Sequence, residues 1–451
     1  MSRGGIAVDN NQSTVKRARD VLNKPMSIAF ISLILKGIVV GLLTGFIVGI
    51  FRWIIDHTMK LLTIIYPIMA QHHQLLIPYI FITLLIVFLL SRILKPFLLD
   101  LVGSGVPQIE AILLNEHQMK AWSVLWRKFV GGLLAICPGL FLGREGPCIQ
   151  MGACIGQLFG EHMKIDEKEK RFLLGCGVAA GLSAAFSAPL AGVIFLMEEI
   201  TFNFQPQGCI TALAAAIAAD FVTILFFGVR PCLYLPVHAT LPKESYLWLL
   251  FLGVLIGLLA FLYQYTLLNL RWWYSKIKFP NIYHSVIPLL LVIPIGLWNA
   301  KILGGSHDFI TYIASLNKDN HLTSLLGLLI IFFIIRFCFS MISYGASVPG
   351  GIFMPILVLG SLIGAIAGVI MIHQNVIPAS CYLNLVVISM AAYFGAIEEA
   401  PFTAITLLTE MVGSVDQILP MTILTFIAYI TSNLLGGQPI YASLRKEMFK
   451  F

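Results

Sequence analysis

The chain has 451 residues, of which 58% are hydrophobic and only 11% are charged, and its net charge is +7. Soluble domains average about 45–50% apolar and about 25% charged residues, so this composition excludes an ordinary soluble domain and indicates a protein that lies in lipid. The positive charge lies mainly in loops and flanking segments, which membrane topology explains without a nucleic-acid partner.

The first 27 residues are polar and basic and lack the short apolar core and cleavage site of a signal peptide. A second basic segment begins at Arg445, after the last apolar stretch. Because basic flanks stay on the cytoplasmic side of a membrane, both termini are predicted to be cytoplasmic, which requires an even number of crossings. We therefore expect a cytoplasmic leader at 1–27, a transmembrane domain at 28–444 and a cytoplasmic tail at 445–451.

Long apolar segments with few or no charged residues follow one another along the predicted domain, among them 28–51, 172–197, 246–270 and 417–444. Each is long enough for the roughly 20 residues of a membrane-spanning helix. One charged segment, KIDEKEKR at 164–171, predicts an aqueous loop. The pattern indicates an all-α integral membrane protein with many spans.

Glycine and proline interrupt the apolar segments at five places, namely GSGVP (103–107), GREGP (143–147), SAPLAG (187–192), PGGIFMP (349–355) and EEAPF (398–402). Irregular backbone is tolerated inside a bilayer only where protein or a water-filled cavity covers it. The interruptions therefore predict helices that begin or end at membrane depth, with their ends directed at something polar.

These broken segments occur in two similar sets. GREGPCIQMGACIG resembles GGIFMPILVLGSLIG, and in each set a glutamate follows a proline nine positions later, as in Pro189–Glu198 and Pro401–Glu410. Matched broken segments in two halves are typical of transporters with an internal repeat, whose binding site lies where the repeats meet.

A helix that begins at membrane depth directs several unpaired N–H groups, and the positive end of its dipole, at one point. This creates an anion site without a buried lysine or arginine. Four helix starts are candidates: those after GSGVP, GREGP and GGIFMP, and the one near Tyr441. Ser104 and Tyr441 would add hydroxyl donors, and glycines such as Gly105 and Gly146 let the backbone approach the ion closely.

Glu145 places a carboxylate at one of these predicted helix starts, within FLGREGPCIQ (141–150). Ionisable residues inside membrane segments are functional by default. A carboxylate is itself an anion, so it can occupy the position that a transported ion would take, and protonation would release it. Glu145 is therefore predicted to be a gate that links anion movement to proton movement.

Several segments resemble the CLC chloride channels and proton–chloride antiporters. The three signature segments of that family resemble GSGVPQIE (103–110), GREGP (143–147) and GGIFMP (350–355), and two further matches are AAGLSAAFSAPLAGVIFLMEE (179–199) and GGQPIYASL (436–444). The resemblance extends from about residue 30 to about residue 445. It implies an inverted-topology internal repeat of many tilted, partly spanning broken helices, with halves at approximately 28–205 and 206–444.

The resemblance also implies roles for individual residues. Ser104 and Tyr441 would bind the central anion together with the backbone N–H groups of Ile352 and Phe353. The family further implies a homodimer in the lipid bilayer, with one independent anion pathway in each subunit.

By the same resemblance, Glu145 would be the external gate and Glu199 the internal glutamate that receives protons in the antiporter branch. Channel members usually lack an acid at the second position, so Glu199 favours a secondary-active exchange of chloride for protons. The alternative is a passive, voltage- or pH-gated chloride channel on the same fold.

Other ionisable residues are expected to be structural. Arg144 is expected to pair with Glu110, and Glu198 to face a cytoplasmic vestibule or a second subunit. A place at the pore mouth, or a structural role, is expected for Glu398, Glu399 and Glu410.

The chain is not expected to be an enzyme. The Glu198–Glu199 pair lacks the arginine and histidine partners of glutamate-based membrane proteases. The histidines and the eight cysteines show no ligand spacing, so neither a metal nor another cofactor is predicted. The resemblance to short prokaryotic family members, which have no C-terminal regulatory domains, implies a bacterial inner (plasma) membrane.

Overall fold

The structure is a computed structural model, and it describes residues 28–237, 239–305, 307–316 and 322–449. The predicted leader and the last two residues of the predicted tail lie outside these ranges. Eight helices in the described ranges are long and apolar enough to cross a membrane, and the described chain contains no extended strand. The predicted fold class, an all-α integral membrane protein with many spans, is confirmed.

The described part of the chain up to residue 227 contains nine α-helices. They are α1 (Ile28–Gln71), α2 (Leu76–Leu94), α3 (Leu98–Leu101), α4 (Val106–Leu113), α5 (Ala121–Ile136), α6 (Glu145–His162), α7 (Glu167–Phe186), α8 (Pro189–Phe195) and α9 (Pro206–Phe227). A short π-helical turn, Leu196–Ile200, continues α8.

The described part from residue 246 onward contains ten α-helices. They are α10 (Tyr246–Leu268), α11 (Leu270–Ser275), α12 (Val286–Asn299), α13 (His307–Ser315), α14 (Leu322–Gly345), α15 (Phe353–His373), α16 (Tyr382–Glu398), α17 (Pro401–Val412), α18 (Ile418–Leu434) and α19 (Ile440–Met448).

Two of the apolar segments predicted as spans are interrupted. The segment 172–197 is divided at Ser187 between α7 and α8, and the segment 417–444 is divided by the loop that precedes Ile440. By contrast, α10 runs through most of the segment 246–270 without a break. Apolar composition therefore did not show where a helix ends within these two segments.

The predicted aqueous loop at 164–171 is largely the first turn of α7. The Asp166 side chain accepts a hydrogen bond from the N–H group of Glu169 at 2.9 Å. Glu167 and Glu169 lie in the first turn. Acidic residues stabilise this end of a helix because its dipole is positive there. The charge of this segment thus marks a helix start.

The two halves of the chain contain the same kind of break. α7 is followed by Ser187 and α16 by Glu399, and both residues adopt a left-handed conformation, with φ of 55° and 58°. Pro189 and Pro401 then begin α8 and α17. This correspondence is the internal repeat that the sequence predicted.

Each half also caps a broken helix of the other half. Glu198 accepts hydrogen bonds from the N–H groups of Phe402 (3.1 Å) and Thr403 (2.7 Å) at the start of α17. Glu410 accepts hydrogen bonds at the start of α8, from the N–H groups of Leu190 (3.1 Å) and Ala191 (2.8 Å). Glu198, which was expected to face a vestibule or a second subunit, instead binds the backbone of α17.

Helix packing indicates where the halves meet. α9 packs along α1, the first helix of the first half, and α18 packs along α10, the first long helix from residue 246 onward. α9 and α18 therefore have equivalent places in the two halves, so α9 belongs to the first half. We therefore propose a boundary between Phe227 and Tyr246 instead of the expected one near residue 205.

The centre of the molecule is formed by two tightly packed pairs, α6 with α7 and α15 with α16. A side chain at Gly152 or Gly177 would overlap the backbone of the neighbouring helix, and so would one at Gly364. Small residues allow helix backbones to approach this closely in membrane proteins. The starts of α6 and α15 are therefore held inside the protein, away from lipid.

Candidate functional site

Three of the four candidate helix starts are joined through the loops that precede them. Gly143 and Gly351 exchange two backbone hydrogen bonds of 2.7 Å. The N–H group of Gly103 donates to the carbonyl of Val348 at 3.0 Å, and that of Gly350 donates to the carbonyl of Gly103 at 3.1 Å. Helices α4, α6 and α15 therefore begin close to one another.

Two glycines make this approach possible. Gly105, at φ 96°, immediately precedes α4, and a side chain on it would overlap Gln150 of α6. A side chain on Gly146, in the first turn of α6, would overlap Ser104. Both positions favour glycine because any larger residue would push the starts of α4 and α6 apart.

Ser104 is fully buried in front of α4, where its Oγ accepts a hydrogen bond from the N–H group of Val106 at 3.3 Å. The hydroxyl of Tyr344 lies beside it. The serine hydroxyl hydrogen can point toward an ion while its oxygen accepts the backbone bond.

Ile352 precedes α15 and Phe353 is its first residue, and both are buried. The Phe353 ring packs between aromatic rings of both halves, with its centroid 5.2 Å from that of Phe186 and 4.3 Å from that of Phe394. The first-turn N–H groups of an α-helix have no carbonyl partner within the helix. This packing fixes the direction in which the N–H groups at the start of α15 point.

Tyr441 is the second residue of α19 and is fully buried. Arg445, one turn later, forms a salt bridge of 3.2 Å with Glu110 of α4. This contact holds the start of α19 against α4, so Tyr441 lies on the same side of the helix starts as Tyr344 and Ser104.

Glu145 is the first residue of α6. It is fully buried, and neither carboxyl oxygen has a hydrogen-bond partner within the described chain. One oxygen lies 3.9 Å from Nε of Arg144 and 4.0 Å from Nε2 of His307. The other lies against Gly143, close to the backbone nitrogen of Met354 in the first turn of α15. The carboxyl group therefore lies among helix starts, in surroundings that suit an anion.

The expected pairing of Arg144 with Glu110 is wrong. Arg144 forms a salt bridge with Asp56 of α1, while Glu110 binds Arg445. The reason is that Arg144 precedes α6 on the side that faces α1, whereas Glu110 lies in the last turns of α4, which face α19. Asp56 is an acid within the largely apolar α1, which is a sequence signal for a buried partner such as Arg144. This signal was not used in predicting the partner of Arg144.

A cavity of about 280 Å³ leads to Glu145. Five Arg and Lys side chains line it against three acidic ones; they are Arg52, Lys60, Arg144, Arg230 and Lys301, with Asp56, Glu145 and Asp308. A cleft lined by one sign of charge raises the local concentration of ions of the opposite sign. This cavity is hard to predict from the sequence, because its basic residues come from distant segments.

Two buried cations hold the loops in front of the helix starts. Lys128 of α5 donates hydrogen bonds to the carbonyls of Leu101 (3.0 Å) and Gly103 (2.8 Å). Arg336 of α14 binds the corresponding loop of the second half, at the carbonyl of Gly304 (2.7 Å). Sequence reasoning assigned Lys128 no role, although a lysine in an apolar helix is a recognisable signal.

Two buried acids, Glu199 and Glu398, lie on the side of the helix starts away from the cavity. Glu199, in the π-helical turn after α8, is 1% exposed, and its Oε1 has no hydrogen-bond partner within the described chain. Glu398, the last residue of α16, is fully buried near Glu199 and Tyr441. Its burial was not predicted, because the sequence places it next to Glu399 in a polar pair.

Comparison with known proteins connects this arrangement to one family. The family model described as voltage gated chloride channel matches residues 82–433. The H(+)/Cl(-) exchange transporter ClcA of Vibrio cholerae serotype O1 is 33% identical over 366 residues, which cover 77% of this chain and 75% of that protein. The transporter of the same name from Salmonella arizonae is 31% identical over 427 residues, covering 92% and 88%.

Solved structures agree with this result. A slow cyanobacterial Cl⁻/H⁺ antiporter superimposes with a TM-score of 0.83 at 28% identity, covering 93% of this chain and 98% of that chain. A CLC-type fluoride/proton antiporter shares the fold, with a TM-score of 0.72 at 19% identity over 91% and 98% of the two chains. The chain therefore belongs to the voltage gated chloride channel family, the CLC family whose signature segments its sequence resembles.

Proposed function

We propose that the protein is a secondary-active transporter that exchanges chloride for protons across a membrane. The observation that carries this proposal is the position of Glu145, a buried carboxyl group beside the starts of α6 and α15 that has no hydrogen-bond partner among the described residues. An acid held where helix starts attract an anion can exchange places with that anion when it takes up a proton. The relatives from Vibrio cholerae and Salmonella arizonae, both named as H(+)/Cl(-) exchange transporters, support the proposal.

In this proposal chloride binds where α4, α15 and α19 begin. The hydroxyls of Ser104 and Tyr441 donate hydrogen bonds to the ion, together with the N–H groups of Ile352 and Phe353. Support comes from the burial of all four residues and from the position of Tyr441 at the start of α19. Hydrogen bonds to an ion are stronger than neutral ones, so four such donors can replace much of the hydration of chloride.

The exchange cycle depends on the charge of Glu145. The deprotonated carboxylate occupies an anion position and closes the path from the basic cavity. Protonation removes the charge, so chloride displaces the side chain and passes. The proton is later lost toward the other side of the membrane, and the carboxylate returns. Protons and anions therefore move in opposite directions and are coupled through one side chain.

Glu199 is proposed to receive protons from the cytoplasmic side. Support comes from its burial and from its unpartnered oxygen close to other acids. The adjacent Glu198 is committed to the cap of α17, which leaves Glu199 as the glutamate of this pair that is available for proton transfer.

The protein is further proposed to act as a homodimer in the bacterial inner membrane, with both termini in the cytoplasm. Large apolar side chains are exposed along α2 and α10, for example Phe81 at 70% and Phe251 at 67%, which supports contact with lipid or a second subunit. The bacterial origin of the relatives supports the inner membrane.

Simultaneous recording of chloride and proton fluxes tests the function. The full-length protein would be reconstituted into liposomes with a chloride gradient, and external chloride and pH would be followed by electrodes. Exchange predicts that chloride moving down its gradient drives protons in the opposite direction, against their own gradient. Chloride flux without proton movement would show the passive channel instead.

The same assay tests Glu199. Glu199→Gln should suppress proton movement while chloride still passes, because glutamine cannot carry a proton. The matched control is Glu167→Gln, which changes an exposed glutamate in the first turn of α7 and should leave both fluxes unchanged. Unchanged proton flux in Glu199→Gln would assign the internal acceptor to another residue.

A further inference from the structure

Glu398 is a buried acid for which the exchange cycle above has no role. It is fully buried at the end of α16, it forms no salt bridge within the described chain, and the hydroxyl of Tyr441 is placed to hydrogen-bond its carboxyl group. Glu110, by contrast, is a buried acid with a counter-charge, because it binds Arg445. A buried carboxyl group without a counter-charge is costly, so its presence needs an explanation.

The groups around Glu398 come from several elements. The hydroxyl of Tyr441 faces it from α19, and the carboxyl group of Glu199 lies near it. The remaining titratable groups around it are Glu110, Tyr263 and Tyr344. Glu110 already has a counter-charge in Arg445. Glu398 therefore lies close to both a proposed chloride ligand and the proposed internal proton acceptor.

The internal repeat shows which side of the site Glu398 occupies. The residue before the left-handed break is Phe186 in the first half and Glu398 in the second half. Phe186 packs against His307 and Phe353, on the side of Glu145. Glu398 instead faces Tyr441 and Glu199. Phe186 and Glu398 thus occupy corresponding places in the two halves. The first half has an apolar ring there, near the proposed gate Glu145, and the second half has an acid there, near the proposed internal acceptor Glu199.

We propose that Glu398 is a second internal proton-carrying residue, close to both Glu199 and the chloride site at Tyr441. The proposal rests on the exchange function proposed above. The proton on the carboxyl group of Glu199 moves to the carboxylate of Glu398, which leaves Glu199 as a carboxylate and Glu398 as a neutral acid. Glu398 then gives the proton to the carboxylate of Glu145, directly or through water, and returns to its charged form.

The test is the ratio of proton flux to chloride flux in liposomes that contain Glu398→Gln. Because a well-placed acid accelerates proton transfer by about 100-fold or more, this variant should lower the flux ratio roughly tenfold at least, while chloride flux persists. The matched control is Glu399→Gln, at the half-exposed neighbour that accepts a hydrogen bond from Asn433 at 3.5 Å. The control should keep the wild-type ratio.

Two further variants separate proton transfer from a structural role. Glu398→Asp retains a carboxyl group at a shorter reach and should recover part of the proton flux that Glu398→Gln loses. The double variant Glu199→Gln with Glu398→Gln should lose no more proton flux than the more severe single variant, because both residues serve one path. An unchanged flux ratio in Glu398→Gln, or a parallel fall of both fluxes without recovery in Glu398→Asp, would overturn the proposal. Uncoupled chloride flux in the wild-type protein would instead overturn the exchange function.

Discussion

At the scale of single residues, Glu145 and Glu398 show that the same type of side chain suits different roles at different ends of a helix. Both carboxyl groups are fully buried. Glu145 begins α6, where the helix dipole attracts negative charge, whereas Glu398 ends α16, where the dipole repels it. The first position suits a carboxylate that competes with an anion, and the second suits an acid that holds a proton in transit.

Glu145→Gln should keep chloride flux and abolish coupled proton movement. Glutamine has nearly the size of the protonated acid but cannot become an anion or carry a proton, so the path would stay open. The measurement is the paired chloride and proton recording in liposomes. Glu161→Gln, at the exposed far end of the same helix, is the control and should remain coupled. Coupled exchange that survived in Glu145→Gln would exclude this residue as the gate.

Tyr441→Phe should weaken chloride binding roughly tenfold in Kd, measured by calorimetry on the detergent-solubilised protein. A hydrogen bond to a charged group contributes about 1.5–3 kcal/mol, and phenylalanine removes only the hydroxyl. Ser104→Ala should act in the same direction. Tyr382→Phe is the control, because its hydroxyl donates to the carbonyl of Ile313 at 3.0 Å, at the opposite end of α16 from Glu398. Equal affinity in Tyr441→Phe and the wild type would remove Tyr441 from the chloride site.

At the scale of helices, the broken pairs are stabilised across the repeat. α8 and α17 are short, and each begins with proline after a residue in the left-handed conformation. Their first N–H groups would be unsatisfied at membrane depth, and at each start a carboxylate from the opposite half accepts hydrogen bonds from them, Glu410 at α8 and Glu198 at α17. This exchange of caps explains why a glutamate follows each proline at the same spacing.

Glu410→Ala should destabilise the fold by about 1–2 kcal/mol, the usual cost of removing a helix cap, because it leaves two N–H groups of α8 without their acceptor. The measurement is the midpoint of thermal unfolding in detergent, which should fall. Glu244→Ala, at an exposed glutamate before α10, is the control and should leave the midpoint unchanged. An unchanged midpoint in Glu410→Ala would show that the cap contributes no stability.

At the scale of the whole molecule, the two halves enclose helix starts that neither half could shield alone. Gly103 and Gly143 of the first half bind Val348 and Gly351 of the second through their backbones. The cavity above Glu145 is likewise shared, since its basic lining comes from α1 and from loops of both halves. Basic residues that are far apart in the sequence thus line a single cavity, the one that leads to Glu145.

Replacing Arg230 and Lys301 together by glutamine should lower chloride flux a few-fold at low ionic strength and much less at high ionic strength. Both residues line the cavity, and salt screens such long-range attraction. The measurement is the initial rate of chloride efflux at two ionic strengths. Lys243→Gln, an exposed change before α10, serves as the control. A decrease that did not depend on salt would contradict an electrostatic role for the cavity.

The class of the protein and the places where its helices break are predictable from the amino-acid sequence alone. Long apolar segments require lipid, and GSGVP, GREGP and GGIFMP can form helix starts at depth only if something polar faces them. These are local properties, so composition and motif were sufficient for them. The candidate roles of Ser104, Glu145 and Tyr441 followed from the same local patterns and the family resemblance.

Which side chains meet becomes clear only from the folded chain. Arg144 pairs with Asp56 and not with Glu110, Glu198 and Glu410 bind helices of the opposite half, and Glu398 is buried although its neighbour Glu399 is not. These partners are distant in the chain, and a bilayer imposes the same apolar composition on every face of a span. The choice of partner therefore depends on how the two inverted halves pack against each other, which no single segment encodes.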